Sequence, residues 1–153
     1  MLSKLEIINS SKQIVPRKFL TALDVWLRPR LSRRLQSKTH KMLLKKDLVV
    51  VFVSRSEGRL LNHKFRRRNY ATDVLSFAPV EQSCLGELVF CFDVIKRQAK
   101  EHKHSIQSEL AYMYIHGLLH LLGFEHEKSQ RAARKMYSLQ DQLFEQQLKF
   151  FES

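Results

Sequence analysis

Cysteine is scarce in this 153-residue chain: Cys84 and Cys91 are the only two. That argues against a disulfide scaffold and fits a reducing compartment. Both read as small buried hydrophobes. Glycine (4 residues) and proline (3 residues) are also few. No Gly/Ser/Pro-rich linker, low-complexity segment or internal repeat breaks the chain. No apolar run approaches the roughly 18 residues that a membrane span needs. The opening stretch MLSKLEIINSSKQ lacks the apolar core of a secretory leader, which predicts a cytoplasmic protein with no membrane partner. Acidic residues are outnumbered, 15 against 27 basic, for a net charge of +12.

Against those shortages stands a hydrophobic content of 44%, spread along the chain. The length predicts one globular domain, residues 1–153, able to bury a core without covalent staples. The charge is lopsided. Residues 1–68 hold 18 Lys and Arg against 4 Asp and Glu, while residues 69–153 hold 9 against 11. The excess gathers in two groups. One is Arg28, Arg30, Arg33, Arg34, Lys38, Lys41, Lys45 and Lys46; the other is Arg59, Lys64, Arg66, Arg67 and Arg68. A one-sided basic surface attracts polyanions, nucleic acid first among them. The blander alternative is a solvated basic face that only aids solubility. An anionic membrane fits less well, because the basic stretches lack a continuous apolar face.

LEIIN (5–9) predicts a first strand. Pro16 suits a first helical position, and Phe19, Leu20, Leu23, Val25, Trp26 and Leu27 follow at rough helical spacing. Arg28-Pro29 is expected to bend or end that helix. A second helical piece with Leu31, Leu35, Met42 and Leu43 leads into the β-branched run DLVVVFVS (47–54), a buried strand. Ser56 is the expected cap of a short helix carrying Leu60, Leu61 and Phe65, and 66–73 reads as a basic loop. VLSFAP (74–79) and LGELVFCFD (85–93) read as strands, the second running into a helix near Asp93. Ser105 or Ser108 can cap ELAYMYIHGLLHLLG (109–123), the most apolar helix, with Gly123 at its end. A last amphipathic helix starts near Ser129. Strands and helices mix without strict alternation. The expected fold is α+β, a mixed, mainly parallel sheet of about four strands packed with helices.

The chemistry concentrates in HGLLHLLGFEH (116–126). His116 and His120 are four residues apart, so on a helix they share a face. Gly123 lets the chain reverse and bring His126 toward them. Three imidazoles with one open position are what a catalytic Zn²⁺ needs, although a three-histidine set also suits Ni²⁺ or Cu²⁺. Burying three imidazoles without partners would be costly. The metal site would thus lie on the central apolar helix and the turn after it. The spacing H-x-x-x-H-x-x-G-x-x-H is also that of metzincin peptidases, whose general base is a Glu directly after the first His. Here that residue is Gly117, which fits a peptidase poorly and would leave room for a bulky substrate. His40, His63, His102 and His104 show no comparable spacing, and a surface role is their default.

HGLLHLLGFEH resembles the signature H-G-x-L-H-L-x-G-[YF]-D-H of the YbeY family of bacterial rRNA maturation endoribonucleases. ATDVLSFAP and LGELVFC resemble two further segments of that family, in the same order. The matching blocks run from about Leu60 to His126. Glu125 and Glu87 stand where the family usually has Asp, and Ala78 replaces a Pro. The two longer carboxylates bear on hydrogen bonds that orient the ligand histidines. The family's arginine between an L-N pair and the T-[ND]-V-L-S-F strand aligns with Arg66. Lys64, Arg67 and Arg68 beside it are candidate RNA contacts.

The resemblance implies a Zn²⁺-dependent, single-strand-specific endoribonuclease with one ion per chain, held by His116, His120 and His126. Arg66 would stabilise the phosphorane-like transition state. The implied role is ribosomal RNA maturation at the 16S 3′ end and ribosome quality control, with the ribosomal subunit and ribosome-associated proteins as partners. The proton acceptor stays open, as does the choice between water and the 2′-hydroxyl as nucleophile. Two rival readings remain: a metzincin-like peptidase without its Glu base, and a non-catalytic ribosome-associated RNA-binding factor whose metal is structural.

Overall fold

The computed structural model describes residues 3–152. Ten elements follow one another: β1 (Leu5–Asn9), α1 (Arg17–Arg34), α2 (Lys38–Leu43), β2 (Asp47–Val53), α3 (Arg55–Arg66), β3 (Val74–Phe77), β4 (Cys84–Cys91), α4 (Phe92–His102), α5 (Ile106–Leu121) and α6 (Gln130–Phe151). The four strands form one sheet in the order β1-β2-β4-β3. β1 pairs with β2 and β2 with β4 in parallel, and β3 returns antiparallel to β4 with Val74 opposite Phe90 and Phe77 opposite Glu87. The mixed, mainly parallel sheet of the sequence reading is therefore present.

Apolar residues on alternate positions of the strands set the layers. Leu48, Val50 and Phe52 of β2 and Leu88 and Phe90 of β4 are fully buried, against Leu20, Leu23, Leu27 and Leu31 of α1 and Leu110, Tyr114 and Leu118 of α5. A smaller cluster, with Val53, Leu75, Val89, Cys91 and Val94, covers the other face, with Leu61 of α3 packed against it. α5 lies across β3 and β4, so its C-terminal end comes out beside the edge strand. Cys84 and Cys91 are both free. They occupy the two ends of β4, roughly 23 Å apart at strand rise, too far to be bridged.

Four local expectations are corrected. Pro16 is the residue before α1, with φ −80° and ψ 71°, and Pro29 lies inside the helix, which continues to Arg34. Pro29 is on the exposed side with Val25 one turn before it. The carbonyl that loses its amide partner therefore faces solvent, while Leu27 and Leu31 hold the helix to the core. Ser54 caps α3, accepting from the amide of Glu57 at 3.2 Å, and Ser56 only meets the Ser54 hydroxyl. Arg28, counted above with the basic surface, is buried. Its Nε donates to Asp24 at 2.9 Å and its Nη1 donates to the carbonyls of Leu44 and Lys46, so it holds the end of α2 rather than meeting polyanions. Among the described residues no helix is long and apolar enough to cross a membrane.

Candidate functional site

Ser105 accepts from the amide of Ser108 at 3.0 Å and starts α5. The helix is apolar around most of its circumference and ten of its residues are buried, which makes it a rigid platform. Its far end is closed by two reversed bonds: Gly123 N–H donates to His120 O at 2.9 Å and Phe124 N–H donates to Leu119 O at 3.0 Å. Gly123 has φ +103°, a left-handed conformation that only glycine adopts readily. This turn sends the chain back over the helix end and returns His126 to the pair.

The three rings converge. Nε2 of His116 and Nε2 of His120 are 3.1 Å apart. Ring centroids are 4.6 Å apart for His116 and His120, 5.4 Å for His116 and His126, and 5.1 Å for His120 and His126. One donor nitrogen from each lies within 4.8 Å of the other two. Burial pushes the His116 and His120 pKa values below the ordinary histidine value, and for His120 the neighbouring rings add to the effect. Both imidazoles are thus held neutral, with lone pairs to give. Nδ1 of His126 is buried and has no hydrogen-bond partner, an orphan that a bound cation would satisfy. The donor set and that orphan fit a divalent metal ion.

Two residues that the sequence reading missed shape this end of the site. Gln140 of α6 is fully buried and its Oε1 accepts from His116 Nδ1 at 3.0 Å. A proton fixed on Nδ1 leaves the Nε2 lone pair for the centre. Tyr137, one turn earlier, sets its ring 5.5 Å from His126 and 6.3 Å from His116. The available signal was a glutamine within the apolar stripe Met136, Leu143 and Phe144. Glu125, expected to orient a histidine, is exposed and lies 3.8 Å from Lys128; Glu87 stays in β4 opposite Phe77.

The reading of Gly117 is also corrected. A Cβ there would sit 2.8 Å from Leu88 Cδ2. The missing side chain admits β4 against α5 and opens no space for substrate.

The histidines stand in a cleft of about 1030 Å³, walled by Phe65 and Arg66 from the end of α3, by 72–79 along β3, and by Tyr112, Met113, Glu125, Glu127 and Tyr137. Arg66 therefore shares the cleft with the three histidines. Lys64, Arg67 and Arg68 do not line it. Arg67 is the left-handed residue ending α3, with φ 56°. Arg68 donates to the Tyr70 hydroxyl at 3.2 Å, and Lys64 lies 5.3 Å from the centre of the Phe65 ring. Buried Asn62 shapes this stretch: its Nδ2 donates to Tyr70 O at 2.6 Å, pinning the loop after Arg66. Asp73 brings a carboxylate to the cleft wall, where its Oδ1 accepts from Val74 N–H at 2.7 Å.

The sequence profile of the family described as Endoribonuclease YbeY matches residues 9–148. The chain belongs to the YbeY family. A relative from Bdellovibrio bacteriovorus, named Endoribonuclease YbeY, is 43% identical over 143 residues, covering 94% of each chain. Another of that name, from Pseudomonas savastanoi pv. phaseolicola, is 42% identical over 106 residues, 65% of this chain and 63% of its own. The solution structure of a Thermotoga maritima protein superposes with a TM-score of 0.63 at 27% identity, over 97% of this chain and 91% of the other. The YbeY resemblance, first drawn from three short blocks ending at His126, thus extends over nearly the whole chain.

Proposed function

We propose that this YbeY-family chain is a metal-dependent endoribonuclease that cleaves single-stranded RNA in the cleft beside β3. The observation that carries the reading is the placement of Arg66 in the same open cleft as three convergent imidazoles. His116, His120 and His126 would hold one Zn²⁺, with Gln140 fixing the tautomer of the first. Such an ion supplies Lewis acidity and brings the pKa of water to about 7. Arg66 binds a phosphate oxygen and takes up the charge that grows on it, which a forked guanidinium does well. Phe65, Phe77, Tyr112 and Tyr137 offer ring faces for unpaired bases. Asp73, Glu125 and Glu127 give a proton acceptor within the cleft. The position after the first histidine holds Gly117, packed against Leu88, so no carboxylate stands where a metzincin peptidase keeps its base. Residues 1–153 act as one domain in this reading. The substrate in the cell is ribosomal RNA, at the 16S 3′ end and in ribosome quality control, reached in the cytoplasm on the ribosomal subunit.

The test is cleavage of single-stranded and duplex RNA, and of an unfolded protein, with and without chelator. Single-stranded RNA alone should be cut, and chelation should abolish cutting. His120→Ala should stay folded and be inactive. Arg66→Ala should bind metal normally and cleave about 10²- to 10³-fold more slowly. RNA cleavage that survives both chelation and His120→Ala would overturn the assignment.

A further inference from the structure

A second group of donors meets at the opposite end of α5. Glu109, in its first turn, has a side chain only 3% exposed. Its Oε1 and Oε2 both lie 3.1 Å from His102 Nδ1, and Oε2 lies 3.2 Å from His104 Nδ1. His102 closes α4 and His104 sits in the tight turn between the helices. Neither histidine stands out by spacing; the turn creates the cluster. Among the described residues no Lys or Arg pairs with Glu109, so these two imidazoles are its only polar side-chain partners.

The Glu109 carboxylate is buried, while both imidazoles that meet it reach solvent. A buried carboxylate needs hydrogen bonds or positive charge around it, and a cation shared by all three groups would give it a counter-charge and a common centre. The distances suit one. A tetrahedral ion with bonds of about 2.05 Å holds its ligand atoms about 3.3 Å apart, and the nitrogen–oxygen separations here are 3.1 and 3.2 Å. All three donors lie within 4.8 Å of one another. The rings are 55% and 39% exposed, which leaves the remaining coordination positions open to water. His104 is braced on its other side by the Phe144 ring, 5.9 Å away. Glu152 stands near as well, its Oε1 accepting from Ser105 Oγ at 2.7 Å, and adds negative charge. Glu109 lies seven residues before His116, about 10 Å along the helix, so the two groups of ligands cannot share one ion.

We propose that His102, His104 and Glu109 form a second divalent-cation site of zinc-like preference. It clips the end of α4 to the start of α5, apart from the histidine cleft. Two imidazoles and one carboxylate are a borderline donor set that favours Zn²⁺, Ni²⁺ or Cu²⁺ over Mg²⁺ or Ca²⁺.

The experiment is calorimetric titration of the metal-free full-length chain with Zn²⁺, with circular dichroism to confirm each variant's fold. The wild type should take up two equivalents. His102→Gln/His104→Gln changes only exposed rings and should take up one. His116→Gln/His120→Gln should also take up one, now at the second site. Mg²⁺ in tenfold excess should displace neither. Zn²⁺ uptake that His102→Gln/His104→Gln leaves unchanged, whether the wild type binds one equivalent or two, overturns the proposal. Glu109→Gln supplies an independent check and should lose the same equivalent. Loss of binding confined to His116→Gln/His120→Gln would leave the cleft reading intact and refute only this second site.

Discussion

Gln140 decides which nitrogen of His116 faces the centre of the site. Its buried Oε1 takes the proton of Nδ1, and the other nitrogen is left free. Gln140→Ala should therefore keep all three histidines yet weaken Zn²⁺ binding about 10- to 100-fold, measured by competition with a chromogenic chelator. The histidine spacing was legible in the sequence because one helix and one glycine turn define it. Gln140 was not, since it reaches the site from α6, and a glutamine in an apolar stripe carries no label of what it touches. Gly117 was visible as an anomaly but misread: only the opposing strand shows that Leu88 fills the space. Gly117→Ala should cost about 1–3 kcal/mol of stability through overpacking, and Leu88→Ala should recover part of that in a double-mutant cycle read by urea denaturation.

Helices α1 and α5 are joined by a buried polar knot. The Tyr114 hydroxyl donates to Asp24, which also accepts from Arg28. Burial and the Asp24 charge push the Tyr114 hydroxyl pKa well above the usual tyrosine value, so it stays protonated and keeps donating. Tyr114→Phe removes that donor while leaving the ring, and should lower stability by about 1–3 kcal/mol, seen as a reduced urea midpoint. Sequence periodicity located these helices and the apolar strands, because β2 and α5 are too hydrophobic to be anything but buried. It mistook the length of α1, since Pro29 reads as a breaker until its exposed side is known. It also placed Arg28 on the surface, because a charged side chain signals solvent unless its partners are seen.

The charge imbalance of the two halves was plain from composition, whereas its distribution over the fold was not. Of the two basic groups named from the sequence, only Arg66 lines the histidine cleft. Arg30, Arg33 and Arg34 instead border a separate groove with Trp26, Lys149 and Phe150. Basic residues away from the cleft would strengthen RNA binding without touching the reaction. Affinity for single-stranded RNA should then fall with salt by about 0.7 log units per decade for each phosphate neutralised, while the rate at saturation changes little. Stability should respond to pH through the histidine cluster. His116 and His120 titrate below the unfolded value of about 6.5, so the unfolded chain takes up protons first. Metal-free protein should be most stable above about pH 6.5 and lose stability as pH falls toward the depressed values. His116→Gln/His120→Gln should flatten that slope in thermal melts recorded with chelator.

His116 and His120 ride on a capped, buried rod, whereas His126 hangs from the span between Gly123 and Ser129, which has no helical or strand ladder. The grip on an ion would thus be two fixed fingers and one hinged thumb. Lifting the thumb needs no melting of α5, so an ion should escape through a two-coordinate stage, far faster than the chain unfolds. A proline at Glu125 or Glu127 that stiffens this span should slow metal exchange while leaving the global denaturation midpoint nearly where it was.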